Sequence, residues 1–134
     1  MAAALAPLRA TLGALERLKR TADIDALFLS GKAHSCFPLR LIFRFLPASP
    51  EDKVPAKAGF SAPKKKFKRA HDRNRIKRLL REAWRLAKPD FLPHLPADKQ
   101  LHLFVVFTGK ELPTFAEVQR ALQKGLGKIL KEEV

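Results

Sequence analysis

The sequence predicts an α+β domain, a two-layer α/β sandwich in which helices cover a short sheet. Three observations carry that prediction. Residues alternate with period two over Leu39–Leu46, a basic amphipathic segment spans 73–88, and a second amphipathic segment follows Thr114. With 134 residues, 46% of them hydrophobic, the chain fits one compact domain with a real core. A lone cysteine, Cys36, excludes an intramolecular disulfide and a cysteine-rich zinc module. The most apolar windows, Leu39–Leu46 and Leu101–Thr108, are too short to cross a bilayer. A cytoplasmic protein is expected.

Residues 1–14, rich in alanine and with Arg9 as their only charged side chain, read as an N-terminal extension. A weak transit peptide is the alternative. The single domain then covers 15–134. Thr21-Ala-Asp23 offers N-cap chemistry for a helix over about 22–30, with Ile24, Leu27 and Phe28 on one face and Gly31 at its end. A short extended piece over Lys32–Cys36 precedes the strand at 39–46. In that strand Leu39, Leu41, Phe43 and Phe45 point one way and Arg40, Ile42 and Arg44 the other. Three prolines make 47–55 a loop, and Ala58–Ala62 reads as another strand ended by Pro63.

Asp72 is placed to cap a helix from Arg73 to Leu86 or Ala87, which Pro89 should stop. Phe91–Gln100 reads as a loop and His102–Thr108 as a buried strand. Thr114 caps the last helix, with Glu117 at the capping-box position. Its apolar stripe is Phe115, Val118, Leu122, Leu126, Ile129 and Leu130.

Charge identifies the kind of partner. Lys and Arg number 27 against 13 Asp and Glu, a net +14. Residues 64–88 hold twelve cations and two acids, a local +10 that leaves only +4 for the other 109 residues. On a helical wheel Ile76, Leu79, Leu80, Ala83, Trp84 and Ala87 take one side. Asn74, Lys77, Arg78, Arg81, Arg85 and Lys88 take the other, with Arg73 and Arg75 flanking the first turn. A merely solvated face would intersperse acids to gain i,i+4 pairs. Glu82 is the only acid within 73–88, so the cations repel unless phosphates meet them. Arginine dominates the face, as bidentate phosphate recognition favours. Asn74 is either a second capping residue or a hydrogen-bonding contact to RNA.

Arg73-Asn74-Arg75-Ile76-Lys77-Arg78-Leu79-Leu80-Arg81-Glu82-Ala83-Trp84-Arg85 resembles the "RNR" signature of the bacterial ribonuclease P protein component. Lys65-Lys66-Phe67-Lys68-Arg69-Ala70 resembles the segment leading into it, and the likeness extends from about Leu18 to Leu130. Two departures stand out: the glycine common before the motif is replaced near Lys68, and the 47–55 loop is long. The resemblance implies the fold of the second domain of ribosomal protein S5, ordered α-β-β-β-α-β-α with a left-handed βαβ crossover. It also implies a protein partner of a catalytic RNA that removes 5′ leaders from precursor tRNA, with Mg²⁺ expected at the RNA active site and none bound by the protein alone. The implied RNA contacts are Lys64, Lys65, Lys66, Arg69, Arg73, Asn74, Arg75, Lys77, Arg78, Arg81 and Arg85. Candidates for a leader cleft are Phe28, Arg40, Ile42 and Arg44, with the 64–66 lysines at one end. No membrane and no stable protein partner are implied.

No protein-borne chemistry is evident. Asp23 and Asp25, two residues apart, do not share a helical face, and the four histidines are scattered. His71 lies beside the lysine run, as a phosphate contact or as an ordinary loop residue. Cys36 has no neighbouring activator and reads as a core residue. Competing readings are a ribosomal or assembly RNA-binding protein, a DNA-binding regulator and a protein-only nuclease. No helix-turn-helix partner precedes residue 73, which disfavours the regulator. The surplus charge predicts that the free protein is partly unfolded at low ionic strength and that sulfate or phosphate folds it. Circular dichroism with and without sulfate checks this, and an absent response would refute it.

Overall fold

A computed structural model describes residues 16–49 and 54–133. The expected extension over 1–14 and loop positions 50–53 lie outside the described residues. Helix α1 (Thr21–Ser30) leads into strands β1 (Lys32–Cys36), β2 (Leu39–Pro47) and β3 (Ala56–Ser61). Helix α2 (Ala70–Phe91) and a 3₁₀ turn (Leu92–His94) connect to β4 (Lys99–Phe107), and α3 (Phe115–Glu133) follows. The order is the expected one.

The four strands form one mixed sheet in the order β1-β2-β4-β3. β2 pairs antiparallel with β1 and β4, whereas β3 runs parallel to β4, so α2 is the crossover of a β3-α2-β4 unit. One face of the sheet carries Leu39, Leu41 and Phe43 beside Leu101, Leu103, Val105 and Phe107. Ile76, Leu80, Ala83 and Trp84 of α2 and Val118, Leu122, Leu126 and Ile129 of α3 pack in the same core. The period-two and helical stripes of the sequence therefore meet in one layer. Among the described residues, α1 is the helix that packs on the opposite face, where its Leu27 is fully buried.

Several boundaries differ from expectation. Arg20, extended, precedes α1 and no side chain caps it, so the Thr21-Ala-Asp23 cap does not form. Asp23 instead lies in the first turn, where the helix dipole favours an acid, 4.0 Å from Arg20. Gly31 ends α1 in extended geometry, donating its N–H to Leu27 O at 2.8 Å, rather than in the left-handed form. β3 starts two residues earlier than expected. α2 begins at Ala70 after Arg69, leaving Asp72 within the first turn instead of capping. Pro89 does not stop it. Phe91 is buried and its ring meets Trp84 edge-on at 5.9 Å, while Leu92 donates its N–H to the Lys88 carbonyl. Burial of Phe91 holds the last turn despite the hydrogen bond that proline lacks. Phe91–Gln100 is consequently not all loop: it contains the helix end, the 3₁₀ turn and the start of β4.

The N-terminal cap of α3 forms as expected. Thr114 Oγ1 accepts from the Glu117 N–H at 3.2 Å, and Glu117 Oε1 accepts from the Thr114 N–H at 3.1 Å. The Thr114 N–H and hydroxyl, both donating to Glu117 Oε1, hold its carboxyl below the usual range. Trp84 is almost fully buried, at 1% exposure, between α2 and the sheet. Trp84→Ala is expected to destabilise the fold by about 3–5 kcal/mol, measured by urea denaturation in sulfate buffer.

Candidate nucleic-acid interface

Packing of the Ile76–Trp84 stripe turns the opposite face of α2 to solvent. Asn74, Arg75, Arg78 and Arg81 are exposed and Lys77 partly so. The Asn74 side chain makes no hydrogen bond among the described residues, so it does not act as a second cap.

Three of the cations expected on that face are engaged within the protein. Lys88 is only 6% exposed and its Nζ lies 2.8 Å from Glu16 Oε2. Arg85 forms a two-point pair with Glu82, one of its bonds running from Nε to Oε2 at 3.0 Å. That hydrogen bond lowers the Glu82 carboxyl and raises the Arg85 guanidinium, with burial opposing both shifts. A lowered carboxyl keeps its charge above its usual range, and the pair is lost only as pH falls through the lowered value. Arg73 donates from Nη1 to the carbonyls of Phe67 and Lys68, at 2.7 and 2.9 Å. The wheel gave these residues a direction, and the acids and carbonyls brought near by the fold gave them partners.

Arg73 thereby builds the loop beside α2. The N–H groups of Lys66 and Phe67 donate to Pro63 O, at 3.3 and 3.1 Å, closing a tight turn over the lysine run. Phe67 is buried against Phe107, ring centroids 5.7 Å apart, and Lys66 Nζ donates to Thr108 O at 2.8 Å. Lys64, Lys65 and Arg69 are left exposed on a pinned backbone. His71 is exposed beside them.

The four leader-cleft candidates lie on one surface. Arg40, Ile42 and Arg44 point from β2 to the face opposite the main core, and Ile42 pairs in register with Phe104 of β4. Phe28 of α1 meets Phe104 edge-on at 5.2 Å and remains 52% exposed. The result is an aromatic pair with Arg40 exposed and Arg44 half-buried alongside. Gly59 of β3, in register with Phe104, keeps this face shallow. A Cβ there would lie 2.6 Å from the Phe104 ring.

Nothing in the sequence distinguishes Phe104 from its neighbours in the strand. The run Leu103–Phe107 is apolar throughout, so it shows no alternation to separate its two faces. No periodic signal marks Arg17 and Lys19, which lie in a strap bridged to β3 at Ala58. Leu18 N–H donates to Ala58 O at 3.0 Å and the Leu18 side chain is buried.

Among the described residues no group of three His, Cys, Asp or Glu side chains is placed to hold a metal ion. His34 lies 3.2 Å from Glu132, and His102 is buried 3.1 Å from Gln100. Cys36 is buried in the core, as expected. No helix among the described residues is long and apolar enough to cross a membrane.

Comparison with known proteins agrees with the sequence likeness. The family model described as Ribonuclease P matches residues 12–130. The ribonuclease P protein component of Porphyromonas gingivalis strain ATCC 33277 is 39% identical over 116 residues, covering 85% of this chain and 82% of that one. The RNase P protein of Staphylococcus aureus has a similar fold, with a TM-score of 0.65 at 21% identity, over 85% of this chain and 94% of that one. The Thermotoga maritima RNase P protein gives 0.64 at 24% identity, over 84% and 96%.

Internal pairing predicts unequal contributions from neighbouring arginines. Glu82→Gln should release Arg85 and tighten binding to structured RNA by about threefold, whereas Arg85→Ala should weaken it less than Arg78→Ala does. Filter binding at two salt concentrations measures both effects.

Proposed function

The chain belongs to the bacterial ribonuclease P protein family, and on that premise we propose that it is the protein subunit of ribonuclease P, assisting endonucleolytic removal of the 5′ leader from precursor tRNA. The observation that carries the reading is the exposed face of Asn74, Arg75, Lys77, Arg78 and Arg81 on a helix whose other side is locked in the core. That face binds the catalytic RNA by neutralising its phosphates. Lys64, Lys65 and Arg69 extend the contact from the pinned loop, and Arg73 serves it by holding that loop. The leader lies across the open sheet face, where Phe28 and Phe104 give unpaired bases a surface to stack on and Arg40 and Arg44 meet phosphates.

Hydrolysis is the work of the RNA in this reading. Mg²⁺ held by that RNA would supply the activation of water, while the protein's cations offset repulsion between catalytic RNA and substrate. The family reading also gives the β3-α2-β4 crossover the left hand of the second domain of ribosomal protein S5, and it gives the protein a cytoplasmic site of action.

Reconstitution with the catalytic RNA at low Mg²⁺ tests the proposal: added protein should restore precursor-tRNA cleavage. Failure to do so would leave only a ribosomal or assembly RNA-binding role. Arg78→Ala and Arg81→Ala should each reduce the salt slope of RNA binding by about one unit, and unchanged slopes would refute the helix assignment.

A further inference from the structure

The strap ahead of α1 makes a second cationic surface that the helix pattern does not include. Arg17 pairs as a parallel bridge with Ala58, and Leu18, buried, donates its N–H to Ala58 O at 3.0 Å. In an extended segment residues 17 and 19 project to the side opposite residue 18, so Arg17 and Lys19 face away from the core together. One residue earlier, Glu16 reaches Lys88 of α2. The strap is thus fixed at both ends of this contact, by a backbone bridge to β3 and by an ion pair to α2.

Between strap, β3 and α2 lies a recess of about 140 Å³. Arg17, Lys19 and Arg81 line it together with Leu18, Ala58, Gly59 and Phe60, and no acidic side chain contributes. The strap's acid, Glu16, does not line the recess and pairs with Lys88. None of Arg17, Lys19 and Arg81 has an ion pair among the described residues. Three cations around one small concavity repel one another, and an anion seated there relieves that repulsion. Arginine on two sides suits a tetrahedral oxyanion, which accepts several N–H bonds at once.

We propose that Arg17, Lys19 and Arg81 seat a single backbone phosphate of RNA in this recess. This inference rests on the RNA-binding reading above and adds a site to it. Arg81 closes the end of the α2 face, and the recess lies at the sheet edge where β3 carries Gly59 toward the open face. A strand held here passes from the helix surface to the sheet surface, and Arg81 belongs to both. The Glu16–Lys88 pair positions the strap for that contact.

Two measurements test it. First, inorganic phosphate is titrated into the full-length protein, already folded in sodium chloride at constant ionic strength, and followed by amide chemical shifts. Saturable shifts are expected at Leu18 and Gly59, abolished in an Arg17→Gln/Arg81→Gln double variant and retained in Arg78→Gln. Second, a double-mutant cycle is measured on binding of the catalytic RNA. If Arg17 and Arg81 hold one phosphate, each single alanine weakens binding about tenfold and the double also about tenfold, instead of about a hundredfold. Arg17→Ala with Arg78→Ala should be additive. Additive losses for Arg17 and Arg81, or phosphate shifts that survive in the double variant, overturn the seat. Failure of the chain to bind the catalytic RNA would instead sink the functional reading, while the phosphate titration still judges the recess.

Discussion

Burial of one stripe of α2 against the sheet governs most of what this molecule displays. Ile76, Leu80, Ala83 and Trp84 occupy the same core as Leu41, Phe43, Leu103 and Val105, and Phe91 extends the contact by meeting Trp84. The helix cannot roll without exposing that apolar area, at about 25 cal/mol per Å². Its charged side is therefore fixed in direction relative to the sheet, and a polyanion meets guanidinium groups that need little reordering before contact.

Cations in this protein divide into two populations. Lys88, Arg85, Arg73 and Lys66 are bound to Glu16, Glu82, the Phe67 and Lys68 carbonyls, and the Thr108 carbonyl. They position neighbours: the strap, the helix surface and the lysine loop. Arg75, Arg78, Arg81, Lys64 and Lys65 stand exposed around them. A motif rich in arginine thus combines structural and ligand-facing roles within one turn of helix, and sequence spacing alone does not separate them. Charge neutralised by a carboxylate contributes little to attraction for phosphate.

The two faces of the sheet have different duties for a related reason. One is closed by two helices and supplies stability. The other receives, among the described residues, one short helix whose Leu27 is buried but whose Phe28 stays half in solvent against Phe104. An aromatic pair left at a surface beside arginines is poorly explained by packing and well suited to unpaired bases. Gly59 matters here because any side chain would strike the Phe104 ring and raise the floor between them.

Local periodicity was enough to determine the element order, the apolar and cationic sides of α2, the alternation of β2 and the Thr114–Glu117 cap, because each depends on residues within a few positions of one another. The signature in 73–85 was legible for the same reason. Tertiary structure alone decided that α1 covers the Arg40, Ile42 and Arg44 face, that Phe28 finds Phe104, that Pro89 stays helical, and that Lys88 is withdrawn from the basic surface. Glu16 and Lys88 are 72 positions apart in the chain. A side chain's direction follows from its own helix or strand, but its partner is chosen by whichever distant segment the closed core brings beside it.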